Sequence, residues 1–215
     1  MYPAKKQKEH LEMAFTRERK NFLTCFTLLS LCILVLFSFP ISAKTRVYFS
    51  LYDDPESVII EHLSKAEESI YVAMYYFTDS QLAREVVKAK NKGVEVRIYL
   101  DSSQINAQYS KARFFVNERI ENIRISSNRN LMHNKFAIID KTIVLTGSYN
   151  WTASASERND ENLLVIDDEE IVARYQDYFN TLWEEKHNPE KYQELLNHPG
   201  VHLIPKESEK EEEED

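Results

Sequence analysis

The sequence predicts an α/β fold in which helices cover both faces of a mixed β-sheet. From Arg46 onward, short β-branched and aromatic segments alternate with amphipathic segments, which is typical of strands alternating with helices. The composition, 43% hydrophobic and 29% charged over 215 residues, excludes a disordered or collagen-like chain. Both cysteines, Cys25 and Cys32, lie in an apolar N-terminal segment, so the remaining chain has no thiol for a disulfide, a zinc cluster or catalysis.

The N-terminal region predicts export or membrane anchoring. Residues 1–21 form a basic region, and residues 22–43 contain an uncharged apolar run that ends in Pro-Ile-Ser-Ala. A cleaved signal peptide and a retained anchor both fit this pattern. Under either interpretation the basic region stays in the cytoplasm, and the chain from residue 44 is exported, as a periplasmic or membrane-anchored domain.

A catalytic domain is predicted over residues 44–190. Its strands are indicated by β-branched, aromatic and alternating segments at Arg46–Leu51, Ser69–Phe77, Val94–Leu100, Ile123–Ser126, Lys135–Ile139, Thr142–Leu145 and Leu163–Ile166. Asp54-Pro55 supplies an N-cap and a first-turn proline for a helix to about Ala66. Further helices are predicted from Asp79 or Ser80 to Gly93, over Ile105–Arg119 and over Glu169–Glu185. Residues 191–215 form an extension whose acidic end, KESEKEEEED, is expected to be disordered.

The chemistry is concentrated between Leu131 and Ile166. His133, Lys135 and Asp140 form the spacing H-x-K-x4-D. Because residues two apart on a strand point to the same face, His133 and Lys135 can share one pocket. A neutral imidazole supplies a nucleophile for phosphorus, and the lysine neutralises a non-bridging phosphate oxygen.

Neutral donors and one carboxylate complete the predicted site. Ser148 and Asn150 follow the next strand and can donate hydrogen bonds to the same phosphate. Glu161 can accept the second imidazole N–H of His133 and thereby fix its tautomer. The other soluble-domain histidines lack partners at ligand spacing, so neither a metal nor a cofactor is expected.

On these residues the sequence resembles the phospholipase D superfamily, and within it the short bacterial Nuc-type endonucleases. The matching segments are the H-x-K-x4-D motif, the G-S-x-N-W segment from Gly147 to Trp151 and the pair Glu161-Asn162. The resemblance implies a phospholipase D-like sandwich and a phosphohistidine at His133. It also implies a phosphate held by Lys135, Ser148 and Asn150, a Glu161 that orients the histidine and an Asp140 that supports the site.

One motif per chain predicts a homodimer. The reaction needs a nucleophile and an acid for the leaving oxygen, and this chain has a single H-x-K motif. A two-fold axis that joins two copies of His133 would supply both groups, as the resemblance also implies.

The sequence leaves three functional classes open. A nuclease is favoured by the resemblance and, to a smaller extent, by aromatic and basic residues at Tyr75–Phe77 and Tyr109–Phe115, although Tyr75–Phe77 is interpreted as core. DNA, in particular single-stranded DNA, is the expected substrate, and RNA is the further possibility. A lipid hydrolase acting on phosphatidylglycerol or cardiolipin is the alternative, which the polar segment Ser102–Ala112 disfavours. A non-catalytic binding module is disfavoured because it would need no nucleophile.

Overall fold

The computed structural model describes residues 44–202 together with Arg17 and Arg19. The chain divides into two compact units, Met1–Ser42 and Ala43–Asp215, and everything below concerns the second. The expected signal or anchor segment and the acidic tail lie outside the described residues. Within the described part of the chain, no helix has the length and apolar character needed to cross a membrane.

Strands and helices alternate along residues 44–202, as the sequence predicts. The strands are β1 (Thr45–Phe49), β2 (Ser69–Met74), β3 (Glu95–Leu100), β4 (Ile123–Ile125), β5 (Lys135–Ile139), β6 (Ile143–Gly147) and β7 (Asn162–Ile166). The helices are α1 (Pro55–Lys65), α2 (Ser80–Asn91), α3 (Ala112–Asn117), α4 (Ala153–Glu157), α5 (Glu169–Glu185) and α6 (Pro189–Leu196).

All seven strands form one mixed sheet in the order β1-β7-β6-β5-β2-β3-β4. The β2–β3 and β3–β4 pairs are parallel and the others are antiparallel. Because side chains alternate along a strand, β2 contributes Ile70, Val72 and Met74 to one core and Tyr71 and Ala73 to the other. The first core also holds residues of α1, α2, α3 and α6, and the second is closed by α5. The predicted α/β sandwich with helices on both faces is confirmed.

Local sequence signals explain where the helices begin. Asp54 accepts a hydrogen bond from the Ser57 N–H at 3.0 Å, next to Pro55 at the start of α1. Its bonds to Ser57 lower the pKa of the Asp54 carboxyl. Asp168 likewise caps α5 by accepting from the Ile171 N–H at 3.0 Å.

The predicted helix over Ile105–Arg119 is shorter in the structure. The segment contains only α3, preceded by a 3₁₀ turn at Ser102–Gln104 and a loop. The Arg113 guanidinium donates to the carbonyls of Ile105 and Ala107, at 2.7 and 3.0 Å, and holds this loop in place. Helices α4 and α6 were not predicted, although Asn188-Pro189 carries the same cap and proline signal as Asp54-Pro55.

The turn between β5 and β6 is built around Asp140. Asp140 and Lys141 both adopt positive φ, 50° and 56°. The Asp140 carboxylate accepts from the backbone N–H groups of Glu68 and Ser69, at 2.7 and 2.9 Å, and also from Glu67. One carboxylate therefore joins the β5–β6 turn to the segment that leads into β2.

Replacement of Asp140 tests this connection. Asp140→Ala is expected to lower the free energy of unfolding by about 2 kcal/mol, because backbone donors lose their acceptor and alanine disfavours positive φ. Asp140→Asn keeps one oxygen and tolerates the turn, so it should lose roughly half as much. Urea denaturation measures both values. An unchanged midpoint with a large fall in turnover would show instead that Asp140 acts in the chemistry.

Candidate active site

The predicted site residues gather at one edge of the sheet. In the antiparallel β2–β5 pair, Met74 at the end of β2 faces Lys135 at the start of β5. In the β6–β7 pair, Gly147 at the end of β6 faces Leu163. The carboxyl ends of β2, β3 and β6 therefore meet the amino ends of β5 and β7, a common position for binding sites in α/β folds.

His133 and Lys135 lie against one another at this edge. The Lys135 Nζ is 3.3 Å from Nδ1 and 3.2 Å from Nε2 of the imidazole, and it donates to the His133 carbonyl at 3.0 Å. His133 itself is exposed, whereas Lys135 is half-buried. Burial lowers the pKa of Lys135, and the negative charge of Glu161 opposes this effect. The predicted proximity of His133 and Lys135 is present in the geometry, and their roles as nucleophile and cation stay predictions.

Tyr75 belongs to the site, although the sequence pattern favoured a core position. Its ring centroid lies 4.6 Å from that of His133 and 5.3 Å from the Lys135 Nζ. Only Phe77 of the Tyr75–Phe77 segment is buried, where it packs edge-to-face on Trp151 and Phe115. Its position in the sequence could have indicated this, because Tyr75 is the first residue beyond β2, which ends at Met74 at the active-site edge. Trp151 packs in the core as predicted.

Ser148 and Asn150 are held by backbone contacts beside the same strand ends. Gly147 has φ 148°, and an added Cβ there would lie 2.2 Å from the Asn162 carbonyl oxygen, so only glycine fits. The Ser148 hydroxyl accepts from the Asn162 N–H at 3.0 Å and donates to Glu161. The Asn150 amide oxygen accepts from the Tyr76 N–H at 3.3 Å, which leaves its NH₂ group to donate to an anion.

Glu161 has different partners from those predicted. Its carboxylate accepts from the Ser148 hydroxyl and, at 3.0 Å, from the Asn159 side chain. Among the described residues, the hydrogen-bond partner of the His133 ring is Lys135 and not Glu161. In this conformation Glu161 thus acts on the site through its charge on Lys135 and through the Ser148 hydroxyl.

The structure does not bring Asp140 to the reacting groups. Asp140 follows the far end of β5, whereas Lys135 begins that strand, so the whole strand separates them. Its carboxylate makes the backbone contacts described above, so the structure places Asp140 in a structural position, and its predicted part in catalysis stays a prediction. Support of the site by Asp140, as the resemblance implies, is consistent with these contacts.

Asp101 is a positioning residue that the sequence pattern did not reveal. It follows β3 at the same sheet edge and is almost fully buried. Its carboxylate accepts from the Ser103 N–H at 2.9 Å and from the Met132 N–H at 2.8 Å. Because Met132 immediately precedes His133, this bond fixes the backbone that carries the imidazole.

Two further predictions concern metals and the basic segment before the motif. Within residues 44–202 and the two described arginines, no group of three or more His, Cys, Asp or Glu side chains is placed to hold a metal ion.

In the predicted nucleic-acid segment before the motif, the Arg113 guanidinium donates to loop carbonyls and Phe115 is buried, so these two residues are structural. Tyr109 of the same segment is exposed.

A mixed sheet with an H-x-K pair at its edge defines a phospholipase D-like fold and site. The family described as "Cardiolipin synthase, PLD-like domain" matches residues 59–183, more than half of the chain. The chain therefore belongs to this family, within the phospholipase D superfamily, whose members are phosphodiesterases.

Relatives and solved structures agree with this assignment. "Phospholipase D" of Rickettsia conorii is 39% identical over 54% of this chain and 58% of its own length. "Mitochondrial cardiolipin hydrolase" of Xenopus tropicalis is 36% identical over 65% of this chain and 66% of its own. The chain thus spans less than two thirds of these relatives.

Among solved structures, NucT from Helicobacter pylori is 28% identical with a TM-score of 0.62, covering 68% of this chain and 99% of that one. Nuc from Salmonella typhimurium is 26% identical with the same TM-score of 0.62, covering 68% of this chain and 97% of that one. The Nuc-type fold therefore fits nearly its whole length onto this domain.

The charge on Glu161 should be visible in the pH dependence of catalysis. In the predicted role of Lys135 the charged ammonium is the active form, so activity is expected to fall as pH rises through its pKa. Glu161→Gln removes the negative charge that opposes the lowering of that pKa, and the alkaline limb of kcat/KM should move to lower pH.

The profile is measured with a small nitrophenyl phosphodiester. Asp160→Asn makes the same charge change at the neighbouring exposed residue and should leave the limb in place. A limb that stays fixed in Glu161→Gln, or moves to higher pH, would contradict the assigned interaction.

Proposed function

We propose that this protein is an exported, metal-independent nuclease that cleaves nucleic acid, preferably single-stranded DNA, through a phosphohistidine at His133. The observation that carries the proposal is the contact between the exposed His133 imidazole and the Lys135 ammonium at a sheet edge that also holds Ser148 and Asn150. A nucleophile beside a cation and neutral donors suits a phosphodiester.

The reaction has two steps. A neutral His133 nitrogen attacks phosphorus, the bond from phosphorus to the leaving oxygen breaks, and a second imidazolium gives its proton to that oxygen. Water then attacks the phosphohistidine, the N–P bond breaks, and the second imidazole accepts the proton from water. Lys135, Ser148 and Asn150 stabilise the charge on the non-bridging oxygens in both transition states.

The second imidazole is assigned to the partner in a homodimer. His133 is exposed, and among the described residues the structure gives its ring no second histidine. A two-fold axis near His133 would place an equivalent imidazole on the other side of the phosphate. The site of one chain is incomplete without that partner.

Nucleic acid is preferred to lipid on two grounds. Nearly the whole length of two Nuc-type structures superposes on this domain. The loop that follows β3 at the active-site edge exposes the polar residues Ser103, Asn106 and Gln108, with Tyr109 as its exposed aromatic residue, in place of an apolar rim for acyl chains. The names of the Rickettsia and Xenopus relatives favour the second candidate, hydrolysis of a lipid such as cardiolipin or phosphatidylglycerol.

Location outside the cytoplasm is proposed from the N-terminal segment of the sequence. The proposed domain begins at residue 44, and every proposed site residue lies after it. If the apolar segment is retained, the enzyme would be held at the membrane with its catalytic domain outside the cytoplasm.

A substrate panel tests the proposed function. The full chain is incubated in excess EDTA with single-stranded DNA, duplex DNA, RNA, and vesicles of phosphatidylglycerol or cardiolipin. Cleavage of DNA, with single-stranded DNA fastest, is expected, together with an acid-labile phosphate trapped on the protein. His133→Ala should fold, lose nearly all turnover and trap no phosphate. Hydrolysis of the vesicles alone would establish the lipid candidate, and activity that needs added Mg²⁺ would overturn the mechanism.

Subunit mixing tests the shared site. Equal amounts of wild-type and His133→Ala chains, after full exchange, should give about half the activity of the same wild-type protein unmixed, since random pairing puts half its chains in mixed dimers. Activity is measured alongside a mass-spectrometric record of exchange. Undiminished activity despite complete exchange would mean that each chain carries an independent site.

A further inference from the structure

A cavity of about 450 Å³ lies beside His133, between the segment 126–134 and α5. None of the residues that line it is acidic, although the chain carries a net charge of −8. Besides His133, its exposed lining is mostly polar or aromatic and comprises Ser127, Asn128, Leu131, Tyr178, Thr181 and Lys186. Such a lining suits a polar, anionic ligand that also presents a flat ring.

Tyr178 is an aromatic residue of this cavity that a hydrogen bond connects to the segment carrying His133. Its hydroxyl accepts from the side-chain amide of Asn134 at 3.1 Å, and Asn134 is the residue after His133. The ring lies 6.2 Å from that of Phe136, yet Tyr178 remains 45% exposed. A ring that is packed on the sheet, tied to the active-site segment and still exposed is a platform for stacking.

The other flank of the site is chemically different. A cavity of about 320 Å³ there is lined by Phe49, Leu51 and Tyr52 together with Asp160 and Glu161. Two carboxylates repel a phosphate backbone. An anionic chain passing over His133 is therefore favoured on the Tyr178 side and disfavoured on the Glu161 side.

We propose that this first cavity binds the nucleoside next to the scissile phosphate, with its base stacked on Tyr178. Lys186, which takes part in none of the ion pairs found among residues 44–202, is placed at the same cavity to neutralise the following phosphate. The inference rests on the proposed function and adds the group that recognises the base. Tyr178 is then a specificity residue of the reaction.

The test compares esters that differ only in having a base. Thymidine 3′- and 5′-(4-nitrophenyl phosphate) are assayed against methyl 4-nitrophenyl phosphate, and the readout is the ratio of their kcat/KM values. Tyr178→Ala should lower the preference for one of the two thymidine esters about tenfold, as expected for the loss of one stacked base. Tyr178→Phe keeps the ring and should keep the preference. Tyr52→Ala replaces an 81% exposed aromatic residue on the other flank, and it should change kcat/KM neither for the thymidine esters nor for the methyl ester.

Each outcome decides between specific alternatives. An unchanged preference in Tyr178→Ala overturns the stacking role while nucleic acid cleavage by the wild type leaves the proposed function standing. An equal loss in Tyr178→Phe and Tyr178→Ala overturns it as well, because the hydroxyl bond to Asn134 would then be the source of the effect. A wild type that hydrolyses the methyl ester and lipid vesicles but no nucleic acid overturns the proposed function itself.

Discussion

The register of β5 against its two neighbours is the constraint on which the site depends. Met74 faces Lys135 in the β2–β5 pair, and Phe136 faces Thr146 in the β5–β6 pair. Because side chains alternate between faces, a slip of one residue would turn Lys135 away from the His133 side and move each buried residue of β5 into the opposite core, where it does not fit. The Asp140 carboxylate, which accepts N–H bonds just before β2, secures this register from the opposite end of the strand. Catalytic geometry and core packing are thus specified by the same pairing.

The electrostatics of the site rest on one cation opposed by one carboxylate. Burial makes the charged form of Lys135 less favourable, and Glu161 restores part of that loss. The other groups near the site, Ser148 and Asn150, are neutral, so they add donors without adding charge. A bound phosphodiester, itself an anion, can therefore take over the role of stabilising the ammonium. In a protein with a net charge of −8, this local arrangement carries the attraction that the global field cannot supply.

The sequence was sufficient for features set by local chemistry and insufficient for those set by distant contacts. The strands, the Asp54 cap, the fixed spacing from His133 to Lys135 and the buried Trp151 follow from neighbouring residues and were predicted. The partners of Glu161 depend on how β6 and β7 are aligned, and the bond from the Met132 N–H to Asp101 joins the segment before β5 to the residue after β3. The loop before α3 is not helical as predicted, because its carbonyls accept hydrogen bonds from the Arg113 guanidinium instead. Spacing along the chain contains none of this information.

A symmetric pair of histidines raises the question of what gives the reaction a direction. If two copies of His133 share one phosphate, they are chemically equivalent in the free dimer, and neither is the nucleophile until substrate binds. A nucleic acid strand, the proposed substrate, has a direction, so its binding would break the symmetry. The cavity beside Tyr178 and the acidic flank beside Glu161 lie on different sides of each histidine and treat an anionic chain differently. The choice of attacking histidine would then be made by the flanking cavities that orient the strand, while the His133 and Lys135 groups supply the same chemistry in either role.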